Sequence, residues 1–259
     1  MTASPSAKWV FASDIDNTLT GDPDALHRLA GRLKSKREKG DLKLLLSTGR
    51  RLNQVIDGFE QEGIPEPDAV ISQVGTEIYL PPFHEKTPKL EEWDKLLHQQ
   101  FRRERAMEFL KDIDGLEIQP EMYNTPLKVS CYLDNTPAPE DAAAQIKRRA
   151  APESGIYQVV WSSGRDLDII PAVGGKGHAI RFLVNYLNLT ERTVVVAGDS
   201  GNDSSMFDSF EHGIVVANAK PELKKAEQAR KGSAVYFARK PFAAGVEEGL
   251  EHYGVLEPI

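Results

Sequence analysis

The sequence predicts an α/β protein in which a doubly wound, mostly parallel sheet carries an inserted α+β module. Short apolar runs alternate with segments of helical periodicity at both ends of the chain, which indicates parallel strands joined by right-handed crossovers. Between those ends, polar and apolar residues alternate along a strand, which is typical of a sheet with one covered face. We therefore expect a core domain formed by residues 1–82 and 169–259, with an inserted domain at residues 83–168.

The N-terminal part of the chain predicts three parallel strands with two helices between them. The strands are the short apolar runs at residues 9–12, 42–46 and 69–72. The first helix begins near Pro23, because proline suits the first helical turn and the flanking acidic residues face the positive end of the helix dipole. It ends at Gly40, and a second helix covers residues 52–62.

The central part of the chain has a different pattern. Residues 74–80 indicate a hairpin, which Pro81 and Pro82 interrupt. Apolar residues then recur at helical spacing, so we expect one helix from about residue 89 to residue 105. The remaining elements are strands at residues 116–119, 128–133, 157–161 and 166–170, and a helix at residues 139–149.

The parallel pattern returns in the C-terminal part of the chain. A glycine-rich stretch leads through Lys176 into a helix, and later helices begin near Pro221 and Pro241. The strands predicted here are residues 193–197, 213–217 and 234–237.

Composition and charge limit the partners of the chain. Its 259 residues are 40% hydrophobic and 27% charged, as in ordinary globular proteins. The net charge of −7 disfavours nucleic acid or an anionic membrane surface as a partner. Cys131 is the only cysteine, which excludes an internal disulfide. We find no signal peptide and no apolar run that could span a bilayer, so we expect a cytoplasmic protein.

Two aspartates separated by one residue follow the first strand. Asp14 and Asp16 lie at its carboxyl end, where open α/β sheets bind their ligands. Two carboxylates this close need a positive charge nearby, from a cation or from a basic side chain. The alternative is an aspartate-rich turn that only caps the next helix.

Three further polar clusters occupy corresponding places in the predicted core. They are Thr48-Gly49-Arg50 after the second strand, Lys176 at a helix start, and Asp199, Asn202 and Asp203 after a later strand. The carboxyl ends of parallel strands share one edge of a sheet, and the helix beginning near Lys176 can point its N-terminus to the same place. A single lysine or aspartate is usually a solvated surface group, but these clusters together favour a functional site.

The residue types in these clusters indicate phosphoryl transfer. Asp14, Asp16 and Asp199 offer the hard oxygen ligands that Mg²⁺ prefers. One carboxylate can attack phosphorus, and a second, two residues further along, can act as general acid and then as base. No P-loop or dinucleotide-binding pattern competes with this interpretation. Hydrogen-bond donors for the phosphate oxygens come from the other clusters: Thr48, Lys176 and Asn202.

The sequence resembles the haloacid dehalogenase-like phosphatase superfamily. The first motif of that superfamily, DxDxT, corresponds to residues 14–18, and the second motif corresponds to Thr48. The lysine motif corresponds to Lys176, and the motif GDxxND corresponds to residues 198–203. The resemblance implies a Rossmann-like core and, because the insert follows the third strand, an α+β cap of the C2 class. The order of helices and strands in the insert is similar to that of the smaller C2b type.

The resemblance also implies a role for each motif residue. It makes Asp14 the nucleophile that forms an aspartyl-phosphate and Asp16 the general acid and base, with Thr48 and Lys176 completing the catalytic set. It further implies that Mg²⁺ is held by three groups, with a fourth in support. These are Asp14, the backbone carbonyl of Asp16, Asp199 and, in support, Asp203.

Within the superfamily, the chain is most similar to sucrose-phosphate phosphatases. The similarity lies in residues 47–50, 74–78 and 166–171, and mannosylfructose-phosphate phosphatases share it. The resemblance implies Mg²⁺-dependent hydrolysis of a sugar phosphate, with sucrose 6-phosphate as the first choice. The phosphates of mannosylfructose and glucosylglycerol are alternatives. A phosphosugar mutase and a non-catalytic sugar-phosphate-binding subunit of a glycosyltransferase are two further hypotheses.

Substrate contacts are expected from five residues: Gly49, Arg50, Glu77, Lys128 and Asn202. Arg50 either reaches the phosphate or sugar, or points outward from a helix start. Lys128 either faces the cleft, as in similar enzymes, or solvates the open face of the cap sheet. Glu77 either bonds to sugar hydroxyls or belongs only to the hairpin. We expect a monomer whose partner is a sugar phosphate, with association with a sugar-phosphate synthase as a further hypothesis.

Overall fold

The computed structural model describes residues 7–230 and 234–259. This part of the chain forms eleven strands and nine α-helices. The strands are β1 Trp9–Ser13, β2 Leu42–Ser47, β3 Ala69–Ser72, β4 Glu77–Tyr79, β5 Glu117–Ile118, β6 Val129–Tyr132, β7 Tyr157–Ser162, β8 Asp166–Pro171, β9 Val194–Gly198, β10 His212–Val215 and β11 Ala234–Phe237. The helices are α1 Pro23–Glu38, α2 Leu52–Gln61, α3 Glu91–Leu97, α4 Arg103–Glu108, α5 Pro139–Ala150, α6 Lys176–Tyr186, α7 Ser204–Ser209, α8 Pro221–Ala229 and α9 Phe242–His252.

Seven of these strands form one sheet in the order β11-β10-β9-β1-β2-β3-β4. Neighbouring strands are parallel except for β4, which runs antiparallel to β3. The central strands β1, β2 and β9 are almost completely buried on both faces, which is why their sequences are continuous apolar runs. The doubly wound, mostly parallel sheet predicted from the sequence is confirmed.

The chain reverses its direction of winding between β1 and β9. From β1 it runs outward through β2 and β3, and it later returns to β9 on the other side of β1 and continues to β10 and β11. Ser13, the last residue of β1, pairs in register with Leu46 of β2 and with Ala197 of β9. The loops that follow these three strands therefore begin side by side at one edge of the sheet. This is the crevice in which such sheets bind their ligands.

The second sheet contains four antiparallel strands in the order β5-β6-β8-β7. On β6, Val129 and Cys131 point to the buried face, and Ser130 and Tyr132 alternate with them on the other face. Ser130 is completely buried as well, so the second face of β6 is also covered here, although the sequence indicated a sheet with one covered face. Strand β8 crosses the expected domain boundary between residues 168 and 169, and the division into two domains stays a prediction.

The single helix expected at residues 89–105 is wrong, because α3 and α4 are separate helices. Phe101 lies between them, and its ring packs against Tyr157 with 5.3 Å between the ring centroids. The hydroxyl of Tyr157 donates to the carbonyl of Arg102. Burial of an aromatic ring against β7 therefore replaces continued helical hydrogen bonding.

The hairpin expected at residues 74–80 consists of β3 and β4, joined by the 3₁₀ turn Gln73–Gly75. The hairpin therefore begins earlier than we expected, and its turn occupies the first residues of the stretch that we assigned to it. None of the helices in the described ranges is long and apolar enough to cross a membrane.

Candidate active site

The loop after β1 places Asp14 inside the protein and Asp16 at its surface. The backbone N–H of Asp14 donates to the carbonyl of Ala197 at 3.0 Å, which fixes the start of the loop to the end of β9. The N–H of Leu19 donates to the carbonyl of Ile15, which folds the loop into a turn. Asp14 is 4% exposed and the side chain of Asp16 is 52% exposed, so the two carboxylates have different environments.

Lys176 is a completely buried ammonium group at the first residue of α6. Its Nζ donates to Oδ1 of Asp14 and to Oδ1 of Asp203 at 2.6 Å each, and to Oδ1 of Asn202 at 3.0 Å. Burial alone would lower the pKa of Lys176, but the charges of the two aspartates and their hydrogen bonds raise it above its ordinary value. Lys176 is therefore a fixed positive charge between the loops after β1 and β9.

The loop after β9 is organised by Asp203, which is completely buried. Its Oδ2 accepts from the backbone N–H groups of Asp199 at 2.9 Å and Ser200 at 3.1 Å, while its Oδ1 accepts from Lys176. A Cβ at Gly198 would lie 2.6 Å from this carboxylate, so the glycine provides the space that Asp203 occupies. Asp203 thus fixes the conformation of the loop after β9 by accepting hydrogen bonds from its backbone.

Three carboxylates meet beside Lys176: Asp14, Asp199 and Asp203. One oxygen from each lies within 4.8 Å of the others. Burial raises the pKa of Asp14, and the positive charge of Lys176 only partly opposes this effect. Burial and the charge of Asp203 raise the pKa of Asp199 to about 7.

This donor set fits a divalent cation. The ammonium of Lys176 offsets one of the three negative charges, so two remain when all three carboxylates are ionised. Asp199 is 3% exposed, and its raised pKa shows that the protein alone stabilises its anion poorly. Mg²⁺ prefers carboxylate oxygens with water completing its shell, so Asp14 and Asp199 are the side chains that would hold it.

Arg50 lies between two carboxylates. Its Nη2 donates to Oδ1 of Asp16 at 2.7 Å and its Nε donates to Oδ2 at 3.0 Å. Glu62 accepts hydrogen bonds from Nη1 and Nη2 on the other edge of the guanidinium group. Hydrogen bonding to Glu62 and Asp16 raises the pKa of Arg50 despite partial burial. The side chain of Arg50 is only 15% exposed, so it does not point outward into solvent.

Thr48 joins the loops after β2 and β3. Its N–H donates to the carbonyl of Ile71 at 2.9 Å, and its carbonyl accepts from the N–H of Val74 at 3.0 Å. Its Oγ1 accepts from the N–H of Arg50 at 3.1 Å, and the whole residue is buried. Gly49 and Arg50 line the cavity described next, whereas Thr48 is not among its lining residues.

A cavity of about 340 Å³ lies between the large sheet and the second sheet. This volume is within the range of roughly 300–1,000 Å³ that is typical of small-molecule sites. On the side of the large sheet it is lined by predicted site residues: Asp14, Asp16, Gly49, Arg50, Asp199 and Asn202. On the other side, the lining residues come from the second sheet and its loops: Gln119, Tyr123, Lys128, Tyr132, Ser162, Ser163, Arg165, Asp166 and Asp168.

Lys128 and Asp168 form an ion pair in the wall that the second sheet contributes. Lys128 is 2% exposed, and its Nζ lies 3.4 Å from Oδ1 of Asp168. The hydroxyl of Ser130 donates to the same oxygen at 2.5 Å. The structure therefore places Lys128 at the cavity, and the alternative of a lysine that solvates an open sheet face does not apply.

Further polar residues of this wall were not assigned from the sequence. Nε2 of Gln119 donates to Oδ1 of Asp166 at 3.0 Å, and burial raises the pKa of Asp166. The guanidinium carbon of Arg165 lies 4.2 Å from the ring centroid of Tyr132. The signal that could have found Asp166 and Asp168 is their spacing of two along a strand, which puts both on one face.

The second sheet also contacts the loop after β9 directly. A Cβ at Gly201 would lie 2.4 Å from the carbonyl oxygen of Trp161, so glycine permits this close approach. The N–H of Ser163 donates to Oε1 of Glu222 at 3.0 Å. These contacts hold the turn between β7 and β8 at the rim of the cavity.

Glu77 lies outside the set of residues that line the cavity. Its Oε2 accepts from the hydroxyl of Tyr79 at 2.8 Å and from that of Ser72 at 3.1 Å, and Nζ of Lys89 lies 2.8 Å from its Oε1. Its charge is thus compensated within the packing of β4. The structure therefore does not place Glu77 at the cavity, and the substrate contact that we expected for it stays a prediction.

Comparison with known proteins gives the family. The model of sucrose-6F-phosphate phosphohydrolases matches residues 7–254. The mannosylfructose-phosphate phosphatase of Agrobacterium fabrum is 31% identical over 95% of this chain and 97% of its own length. Sucrose-phosphatase 1 of Nicotiana tabacum is 28% identical over 96% of this chain, which spans only 60% of the tobacco protein.

Solved structures agree with this assignment. The sucrose-phosphatase from Synechocystis sp. PCC6803, solved with sucrose and phosphate, is 30% identical and has a TM-score of 0.85, covering 96% of this chain and 98% of its own. A haloacid dehalogenase-like hydrolase from Bacillus subtilis, 16% identical with a TM-score of 0.67 over 95% of this chain and 99% of its own, shows the same fold. The resemblance inferred from the motifs is confirmed. The chain belongs to the sucrose-6F-phosphate phosphohydrolase family of haloacid dehalogenase-like enzymes.

Proposed function

We propose that this chain hydrolyses the phosphate monoester of a disaccharide, with sucrose 6-phosphate as the first candidate. The observation that carries the proposal is the cavity: Asp14 and Asp199 lie on one side, with Lys176 buried and hydrogen-bonded to Asp14, and a polar wall from the second sheet lies opposite. The side with the carboxylates suits a phosphate group, and the polar wall of the second sheet suits a sugar. The expected enzyme class, a sugar-phosphate phosphatase among the phosphoric monoester hydrolases, is confirmed by the family match and by the relatives.

Asp14 is the proposed nucleophile and Asp16 the proposed acid and base. The carboxylate of Asp14 bonds to phosphorus while the bond from phosphorus to the sugar oxygen breaks, and Asp16 gives its proton to that oxygen. Water then attacks phosphorus of the aspartyl-phosphate while Asp16 takes a proton from the water. The bond between phosphorus and the Asp14 oxygen breaks, which frees the carboxylate of Asp14 and releases phosphate. The greater exposure of Asp16 supports this division of roles, because the acid must exchange protons with solvent.

Basic and polar groups around Asp14 suit the charge of a transferring phosphoryl group. Lys176, 2.6 Å from Asp14, favours the anionic nucleophile and can stabilise the equatorial oxygens. The hydroxyl of Thr48 accepts from Arg50, which leaves its own proton for a phosphate oxygen. Mg²⁺ bound by Asp14 and Asp199 would supply further positive charge at this point.

The wall from the second sheet supports a polyhydroxylated leaving group. Sugar hydroxyls both donate and accept hydrogen bonds. Acceptors are available in the carboxylates of Asp166 and Asp168, and donors in the amide of Gln119 and the ammonium of Lys128. Tyr132 adds an aromatic ring to this set.

A second candidate substrate is mannosylfructose phosphate. The Agrobacterium fabrum phosphatase that carries this name aligns with the chain over 97% of its own length. Glucosylglycerol phosphate is the third member of the same substrate class. A phosphosugar mutase and a non-catalytic sugar-phosphate-binding subunit remain hypotheses that the same experiment separates.

The experiment is a measurement of phosphate release from sucrose 6-phosphate, mannosylfructose phosphate, glucosylglycerol phosphate and simple hexose phosphates, with and without Mg²⁺. We expect one disaccharide phosphate to be preferred and Asp14→Asn to lower its turnover by several orders of magnitude. Isomerised sugar phosphate without free phosphate indicates a mutase, and binding without turnover indicates a non-catalytic subunit. Full activity of Asp14→Asn contradicts the proposal.

We also propose the setting in which the chain works. The net charge of −7 supports a protein that binds neither nucleic acid nor an anionic membrane surface. We propose that it is a cytoplasmic monomer and that it associates with a sugar-phosphate synthase. Light scattering tests the monomer, and a pull-down with purified synthase tests the association.

A further inference from the structure

Arg50 uses both edges of its guanidinium group, one for each of two carboxylates. The edge formed by Nε and Nη2 binds Asp16, with distances of 3.0 and 2.7 Å. The edge formed by Nη1 and Nη2 binds Glu62, with Nη2 2.9 Å from Oε2. A bidentate contact fixes the plane of a guanidinium group as well as its position. Glu62, bound to one edge of the guanidinium group, therefore fixes the orientation in which the other edge binds Asp16.

Helix α2 leaves space for this contact at Gly58. A Cβ at this position would lie 2.7 Å from Cδ1 of Ile64, and 3.1 Å both from Nη1 of Arg50 and from Oε1 of Glu62. Gly58 is a helical residue, so its backbone conformation does not require glycine. The missing side chain makes room for Ile64 and also lets the guanidinium group lie against the helix, where it meets Glu62 one turn later.

Helix stability does not explain a glutamate at position 62. Glu62 caps the C-terminal end of α2, where the helix dipole disfavours a negative charge. Its side chain is 38% exposed, and exposed ion pairs contribute little to folding stability. The arrangement therefore has a better explanation in what Arg50 does at the cavity.

We propose that Glu62 is a positioning residue, which acts through Arg50 to hold the carboxylate of Asp16 at the wall of the cavity. This inference rests on the proposed function, in which Asp16 moves the proton. Asp16 lies on a surface loop with its side chain half exposed, so without a fixed Arg50 its carboxylate has no comparable restraint on that side. Glu62 is not among the described residues that line the cavity, which separates its role from substrate binding.

The test is a double-mutant cycle that combines Glu62→Gln with Arg50→Ala. In the wild-type background, we expect Glu62→Gln to lower kcat about tenfold and to change KM less than about twofold, because proton transfer and not ground-state binding is impaired. In the Arg50→Ala background, the same change should have no further effect. The control is Glu60→Gln, which removes an exposed carboxylate from the same helix and should leave kcat unchanged.

Several outcomes overturn the inference. They are an unchanged kcat in Glu62→Gln, a loss that appears in KM alone, and an equal loss in both backgrounds, which indicates a purely structural role. The melting temperature of Glu62→Gln should stay within about 4 °C of wild type.

A crystal structure of Glu62→Gln gives a readout that does not depend on turnover. We expect the Asp16–Arg50 pair to be displaced or lost, and an unchanged pair overturns the inference. If wild type releases no phosphate from any sugar phosphate, the proposed function fails, and this structure still decides the positioning role.

Discussion

The ammonium nitrogen of Lys176 lies 2.6 Å from Oδ1 of Asp14, although the two residues are separated by 162 positions in the chain. Both groups are buried at the point where the sheet reverses its winding. Burial disfavours either charge alone, whereas the pair stabilises both. This contact joins the two segments of the chain that form the large sheet, and it positions the proposed nucleophile.

Replacing Lys176 by methionine should destabilise the protein strongly. The change leaves Asp14 and Asp203 buried without their shared cation, so we expect a loss of about 3–5 kcal/mol at pH 7.5 in the absence of Mg²⁺. The loss should be smaller at pH 5, where the carboxylates can take up protons. Urea denaturation measures it. The matched control is Lys111→Met at an exposed lysine, and equal losses in the two variants contradict the account.

Ionisation of Asp199 should lower the stability of the metal-free protein as the pH rises, and Mg²⁺ binding should strengthen over the same range. The pKa of Asp199 in the metal-free chain is about 7, well above that of an unfolded aspartate, because of burial and the charge of Asp203. The folded chain thus binds more protons than the unfolded chain between about pH 4 and pH 7, so this group lowers stability as the pH rises through that window.

Mg²⁺ needs the ionised carboxylate, so its binding should release a proton below pH 7. Titration calorimetry in buffers with different ionisation enthalpies measures this release. The rise in melting temperature with Mg²⁺ should be larger at pH 7.5 than at pH 5.5. The variant Asp199→Asn should lose part of this pH dependence, while Asp14, whose pKa burial also raises, keeps the rest. An affinity of the wild type for Mg²⁺ that is the same at both pH values contradicts the assignment.

Lys128 should contribute to recognition of the sugar and not to the chemical step. Its ammonium is buried 3.4 Å from Asp168 in the cavity wall. We expect Lys128→Met to raise KM for the preferred disaccharide phosphate about tenfold, with a smaller effect on a hexose phosphate, because one buried charged hydrogen bond is lost. Steady-state kinetics with Lys111→Met as the control provide the measurement. A loss confined to kcat argues against this role.

Glu77 should matter for stability and not for substrate binding. Its carboxylate accepts from Ser72 and Tyr79 and pairs with Lys89. Burial and the charge of Glu77 raise the pKa of Tyr79. We expect Glu77→Gln to lower the free energy of unfolding by about 1–3 kcal/mol and to leave KM unchanged. A raised KM at unchanged stability would restore the contact expected from the sequence.

The sequence predicts the centre of the site well because topology determines it. Asp14, Thr48 and Asp199 follow buried parallel strands, and such strands end at one edge of a sheet whatever the rest of the chain does. Lys176 follows from the same reasoning, since its helix begins beside that edge. The local pattern and the global fold agree for these residues.

The remaining features depend on contacts that have no local pattern. Glu62 stands at the end of a predicted helix among other acidic residues, and only the position of Arg50 distinguishes it. Glu77 is part of a motif shared with similar enzymes, but its partner Lys89 lies beyond an irregular segment of the chain. The break between α3 and α4 follows from burial of Phe101 against Tyr157, which are far apart in sequence.

The central claim is that Asp14 becomes phosphorylated during turnover. The most direct measurement is a rapid acid quench of the enzyme with ³²P-labelled sucrose 6-phosphate and Mg²⁺, or with whichever sugar phosphate is hydrolysed fastest, followed by mapping of the labelled peptide. We predict a hydroxylamine-sensitive label on the peptide that contains Asp14 and none in Asp14→Asn. Turnover without any labelled protein, or a label on a different peptide, would contradict the account.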